Sequence, residues 1–148
     1  MQVELEPFKG ISYKNMSIFL GEELKYQKNK LETLFNILEF SRSGEKSILI
    51  KDLCTTLSYD NDNLLNFIEL SRPSTPIWNE IDFFNTPFRE VIAKLEVLNI
   101  IPFRLSFGSV IVFDEIGVSL WIEDPEDDEY ATTCSVYIKG MYDDLKGL

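Results

Sequence analysis

Three observations predict an α+β fold, an antiparallel sheet with helices on one face. Much of the chain alternates apolar and polar residues in short runs, the period of strands buried on one side. Other stretches repeat their apolar residues every three or four positions, as amphipathic helices do. An internal correspondence also divides the chain into two tandem units, 1–72 and 78–148, each a helical segment followed by three strands. At 148 residues and 45% apolar composition, one domain over 1–148 with a sizeable core is expected.

Residues 1–6 alternate and read as a short edge strand. Asn15 is placed to cap a helix over residues 16–27, with Met16, Leu20 and Leu24 as its buried stripe. Gly21 interrupts that pattern. Residues 31–39 read as a second helix, with Leu31, Leu34, Phe35 and Leu38 on one face. After a loop at 41–46 the period becomes two. Residues 47–50 and 54–59 read as strands around Lys51-Asp52-Leu53, Asp60-Asn61-Asp62-Asn63 as a turn, and 64–70 as the next strand. Residues 71–79, with two prolines, read as a connector carrying Trp78 as a packed aromatic. Residues 81–84 are short and apolar. Thr86-Pro87 starts a helix over 87–98, with Phe88, Val91, Ile92 and Leu95 toward the core. Residues 109–113, 117–123 and 132–139 read as the last strands, followed by a tail.

The correspondence aligns Gly10-Ile11-Ser12-Tyr13-Lys14-Asn15 with Glu80-Ile81-Asp82-Phe83-Phe84-Asn85. It continues with Ser47-Ile48-Leu49-Ile50 over Ser109-Val110-Ile111-Val112, and Thr55-Thr56-Leu57 over Val118-Ser119-Leu120. Asp52 and Asp114 then sit in matching turns, and both second strands run into acidic loops. Joining two such units gives one antiparallel sheet. Its face away from the helices is partly open, and exposed aromatics there would form a binding surface.

Charge narrows the function. The run Asp124-Pro125-Glu126-Asp127-Asp128-Glu129 is the densest feature of a chain with 25 acidic and 14 basic residues, net charge −11 and no histidine. A missing histidine excludes Ser-His-Asp and Cys-His catalysis and histidine zinc sites. The scattered glycines form no phosphate loop. An enzyme is therefore not expected, nor a cofactor or metal. The acidic run lacks the EF-hand register, and Pro125 breaks its spacing. Scattered Lys and Arg supply no stripe for nucleic acid, and the same excess of acid repels anionic membranes. A basic protein partner would be attracted. Its Lys and Arg would meet Asp60, Asp62, Asp124, Glu126, Asp127, Asp128 and Glu129, with Trp121 and Tyr130 as aromatic anchors. The two loops would form one acidic edge. The bland reading makes the run a solvated hairpin loop and Trp121 a core residue.

Cys54 and Cys134 form no CxxC pair and are expected reduced and semi-buried in strands, a disulfide remaining open. The segment MQVELEPFKG has no basic or apolar signal region, so a cytoplasmic location is expected.

Several segments in order carry a resemblance. These are Gly10-Ile11 leading through Leu20-Gly21 into helix, Leu57-Ser58-Tyr59-Asp60, Phe67-Ile68-Glu69-Leu70, Ile81-Asp82, a helix ending near Leu95, and Gly117-Val118-Ser119-Leu120-Trp121. The chain resembles small bacterial immunity proteins of polymorphic and contact-dependent growth-inhibition toxin systems. Its tandem layout also looks like the duplicated units of β-lactamase inhibitor protein and of small outer-membrane assembly lipoproteins. The resemblance implies a stoichiometric inhibitor that binds a cognate toxin domain, often a basic nuclease, and blocks its active site or substrate groove. It carries over no catalytic residue. The second reading is an acidic chaperone for a secreted effector, and the sequence does not fix an oligomeric state.

Overall fold

The computed structural model describes residues 1–105, 108–126 and 129–145. Its elements are β1 (Gln2–Glu6), β2 (Gly10–Tyr13), β3 (Met16–Phe19), α1 (Leu24–Glu32), β4 (Ile37–Arg42), β5 (Glu45–Ile50), β6 (Thr55–Tyr59), β7 (Leu65–Ser71), β8 (Thr75–Trp78), β9 (Ile81–Asp82), α2 (Phe88–Val97), β10 (Phe103–Arg104), β11 (Val110–Phe113), β12 (Val118–Trp121) and β13 (Thr133–Tyr137). The class is α+β. The strands form two sheets rather than one: a larger, antiparallel sheet ordered β10-β11-β12-β13-β7-β6-β5-β4, and a smaller one ordered β3-β2-β1-β8-β9. In the smaller sheet β1 and β8 run parallel.

Alternation builds the larger sheet. One row of cross-strand neighbours is Ile48, Leu57, Ile68, Val136, Val118 and Phe113. The next core row is Ile50, Thr55, Leu70, Cys134, Leu120 and Ile111. Every one of these twelve residues is buried, so a one-residue slip of any strand would turn its core residues to the other face. Leu24 and Leu31 of α1, Val91 and Leu95 of α2, and Val3, Leu5, Ile11 and Ile18 of the smaller sheet join the same apolar cluster. Trp78 packs against it, half-buried.

Among the described residues, the opposite face is covered over the second half. There Val112, Tyr137 and Leu105 form a separate cluster with Met141, Tyr142 and Leu145 of the chain's last turn.

Two expected helices are replaced. Residues 16–19 are β3, and the helix begins at Leu24 after Glu23, not at Asn15. The chain turns at Lys14 (φ 53°), and Tyr13 pairs with Met16, so the spacing of Met16, Leu20 and Leu24 is not helical. Gly21 (φ 86°) marks the break before α1. Of residues 31–39 only Leu31 and Glu32 are helical. The Asn36 amide donates to an Asp52 carboxylate oxygen (3.0 Å), and its carbonyl accepts from Lys51 N–H (3.0 Å). These bonds draw the following residues into β4, which returns as β5 through Ser43 and Gly44, both at positive φ. The 71–79 connector contains β8, whose partner β1 lies far away in sequence. The helix expected over 87–98 is α2. Each helix is followed by four strands, not three, and preceded by two or three.

Both cysteines are free. Cys134 is buried in β13, and burial pushes its thiol pKa up. Cys54 is exposed just before β6, in a left-handed conformation (φ 47°), rather than semi-buried in a strand.

Burial also raises the phenol pKa values of Tyr59 and Tyr137, more than their carboxylate neighbours Glu22 and Asp114 do. A phenol whose folded pKa exceeds its unfolded value stabilises the fold fully below the unfolded value, about 10. That contribution is lost as pH climbs from there toward the folded value. The urea midpoint is expected to fall as pH rises above about 10. A midpoint constant through pH about 11 would contradict this.

Candidate functional site

The open half of the larger sheet carries a concavity of about 370 Å³. Strand alternation sets its floor. Thr56, Glu69 and Ser135 are neighbours in one row, and Ser47, Ser58, Phe67 and Tyr137 in the next. These positions alternate with the buried core positions, so they face away from the helices. Phe40, Arg42, Ser43 and Glu45 of the β4–β5 hairpin line one side of the concavity. On the far flank Phe67 stacks on Tyr137 (centroids 6.5 Å, 15°), which meets Tyr142 edge-on (4.8 Å, 81°). The Ser119 and Tyr142 hydroxyls lie 3.2 Å apart as one hydrogen bond. Burial raises the Tyr142 pKa, the Ser119 bond opposes that, and the charge of Glu69 adds to it.

Chemically this surface presents hydroxyls, one central carboxylate and aromatic rings. Arg42 and Glu45 are opposite each other in the β4–β5 register, and both line the concavity. Glu69 is exposed and makes no ion pair among the described residues. No group of three or more His, Cys, Asp or Glu among the described residues is arranged to hold a metal.

The two loops that carry the expected acidic residues are not brought together. The loop with Asp60 and Asp62 precedes β7, and the 124–129 loop precedes β13. Strands β7 and β13 are antiparallel neighbours, with Phe67 opposite Tyr137 and Ser71 opposite Thr133. The two loops therefore lie at opposite ends of the sheet, about 20 Å apart, the length of β7. That exceeds twice the screening length of about 8 Å in physiological salt. Among the described residues the two loops do not form a single acidic edge.

Asp60 is structural: one of its carboxylate oxygens accepts from the amides of Asp62 (2.9 Å) and Leu64 (3.0 Å). Asp62 is exposed. In the other loop Asp124 accepts from the Glu126 amide (3.1 Å). The Glu129 carbonyl accepts from Phe88 N–H (2.7 Å), which fastens the loop to the first residue of α2. Glu126 and Glu129 are exposed. Asp127 and Asp128 lie outside the described residues. Trp121 is 42% exposed and Tyr130 40%, so Trp121 is not a core residue. Through Thr133 and Ser71 its register places it on the open face with Glu69. That face and the 124–129 loop are contiguous.

Glu69, Phe67 and the hydroxyl floor escaped the reading from charge, because their signal is alternation. The polar positions interleaved with core residues in β5, β6, β7 and β13 are mostly Ser and Thr, with Glu45 at the hairpin end and Glu69 near the centre, which leaves short hydroxyl side chains around Glu69.

Comparison with protein-family models, curated proteins and solved structures returned no match. No helix among the described residues is long and apolar enough to cross a membrane.

Proposed function

We propose that the chain is a stoichiometric inhibitor of the immunity-protein kind. It binds a basic toxin domain, a nuclease by class, and covers its active site or substrate groove. The observation that carries this reading is an open, carboxylate-bearing sheet face in a chain of net charge −11. After Arg72 the chain has 14 of its 25 acids and 5 of its 14 bases, so the excess lies in the half that carries Trp121 and the 124–129 loop. A face that ends in an exposed tryptophan and an acidic loop combines an aromatic anchor with electrostatic steering.

We also read the chain as an internal duplication. Outward from the central β7–β13 pair, the larger sheet runs β6, β5, β4 on one side and β12, β11, β10 on the other. The sequence correspondence matches β2 with β9, β5 with β11 and β6 with β12, in keeping with that order.

Co-expression with the product of the gene immediately upstream tests the reading. The two proteins are expected to co-purify, and the chain to relieve that product's toxicity. Absence of both a complex and rescue would sink it. In the complex, reversing Glu126 and Glu129 to Lys is expected to slow association more than it speeds dissociation, as steering by an exposed loop requires. Surface plasmon resonance at low salt would show this, and unchanged kinetics would remove the loop from the epitope.

A further inference from the structure

We infer that the concavity over β5, β6 and β7 seats an arginine side chain of the partner, with Glu69 receiving the guanidinium. This deepens the inhibitor reading, on which it rests for the identity of what presents the arginine.

Glu69 lies on one of the two central strands, between Thr56 of β6 and Ser135 of β13. Neither neighbour is long enough to cover its carboxylate. Arg42, which lines the same concavity, stands opposite Glu45 in register, and Glu69 makes no ion pair among the described residues. The adjacent Tyr142 hydroxyl is engaged with Ser119 (3.2 Å). An anion would be repelled here. An apolar side chain would strip water from the carboxylate and the surrounding hydroxyls without replacing those hydrogen bonds. A cation restores them.

The shape of the surroundings favours arginine over lysine. A guanidinium is planar, carries five donors in a fixed fork and sheds water more readily than an ammonium. Two donors match the Glu69 carboxylate side by side, and the others face the Ser58 and Thr56 hydroxyls. The ring of Phe67, half-buried and lining the same concavity, offers a surface for the plane of the cation. The concavity of about 370 Å³ falls within the size range of small-ligand sites and has room for one such side chain with waters.

The test is an NMR titration of the whole chain with N-acetyl-arginine methylamide, beside its lysine and citrulline analogues. Arginine is expected to shift the amides of Thr56, Ser58, Phe67 and Glu69 with a dissociation constant on the order of 1–10 mM. Lysine should bind several-fold more weakly, and neutral citrulline should give no saturable shift. Glu69→Gln, at an exposed position, should weaken arginine binding about fivefold or more, since it removes the charged acceptor. Glu96→Gln removes one exposed charge on α2, on the other side of the sheet, and should change nothing. The inference is overturned if Glu69→Gln binds like the parent, if citrulline or lysine binds as well as arginine, or if Glu96→Gln weakens binding as much as Glu69→Gln. The probe contains no part of the partner. Failure here removes the arginine seat alone, whereas failure of co-purification and rescue removes the inhibitor reading.

Discussion

Replacing Gly10 by alanine is expected to destabilise the protein by about 4 kcal/mol or more, at the exceptional end for single substitutions. Gly10 lies in β2, opposite Glu6 of β1 and Phe19 of β3, at φ 145°, where L side chains are strained. A β-carbon there would sit 1.9 Å from the Ile18 carbonyl oxygen and 3.1 Å from the Phe19 α-carbon. Both obstacles are backbone, so relief requires β3 to separate from β2, and Ile11 and Ile18 leave the core with it. Backbone strain alone costs about 1–3 kcal/mol, and the lost pairing adds to it. The total is comparable with the about 5–15 kcal/mol that holds a typical domain together. Gly44→Ala is the control. Gly44 also has positive φ (83°), but nothing lies within 4 Å of its added β-carbon, so only about 1 kcal/mol is expected. Urea unfolding followed by circular dichroism compares the two. Equal losses would contradict the close approach of β2 and β3.

Gln27→Leu is expected to cost about 2 kcal/mol, chiefly through the buried Tyr59 hydroxyl left unpaired at about 1–3 kcal/mol; the Phe19 carbonyl keeps the Glu22 amide as a donor. Gln27 is fully buried on α1. Its side-chain amide donates to the Phe19 carbonyl (3.0 Å) and to Glu22 (3.3 Å), and its oxygen accepts from the Tyr59 hydroxyl (2.5 Å). One side chain thus joins the helix, β3 of the smaller sheet and β6 of the larger. Leucine keeps much of the volume and removes all three bonds. Adding Tyr59→Phe removes the stranded hydroxyl, so the double variant should be less damaged than the sum of the singles. Additive losses would mean that the Gln27–Tyr59 bond contributes nothing.

The elements that local pattern specifies were legible from sequence. Strands β6, β12 and β13 alternate closely enough to place a core face, β5, β7 and β11 stand out as short apolar-rich runs, and Asp60-Asn61-Asp62-Asn63 marks a turn. Helix α2 has a proline at its start and a clean apolar stripe. Elsewhere long-range pairing overrode local spacing. Met16, Leu20 and Leu24 fit a helix, yet the Lys14 turn and pairing with β2 make a strand. Leu34 and Leu38 fit the stripe of a helix but are exposed beside the sheet edge. Strand β8 is hidden by Pro76 within it and Pro73 just before it, and its partner β1 is more than 70 positions away.

The site was legible only in part. The two acidic loops were found and matched to each other. Their separation follows from the antiparallel β7–β13 pairing, which no local pattern encodes. Loops that each precede one strand of an antiparallel pair lie at opposite ends of it. Glu69 was visible only as a residue in an alternating strand. Its isolation depends on which side chains its neighbours place beside it, and so on register.

Titration of the toxin domain's activity with the purified chain tests the inhibitor mechanism most directly. Activity should fall linearly and reach zero at one equivalent, with inhibition weakening as salt rises toward about 1 M, where the screening length drops to about 3 Å. Full activity at a several-fold excess of the chain, or inactivation well below one equivalent, would contradict a stoichiometric inhibitor.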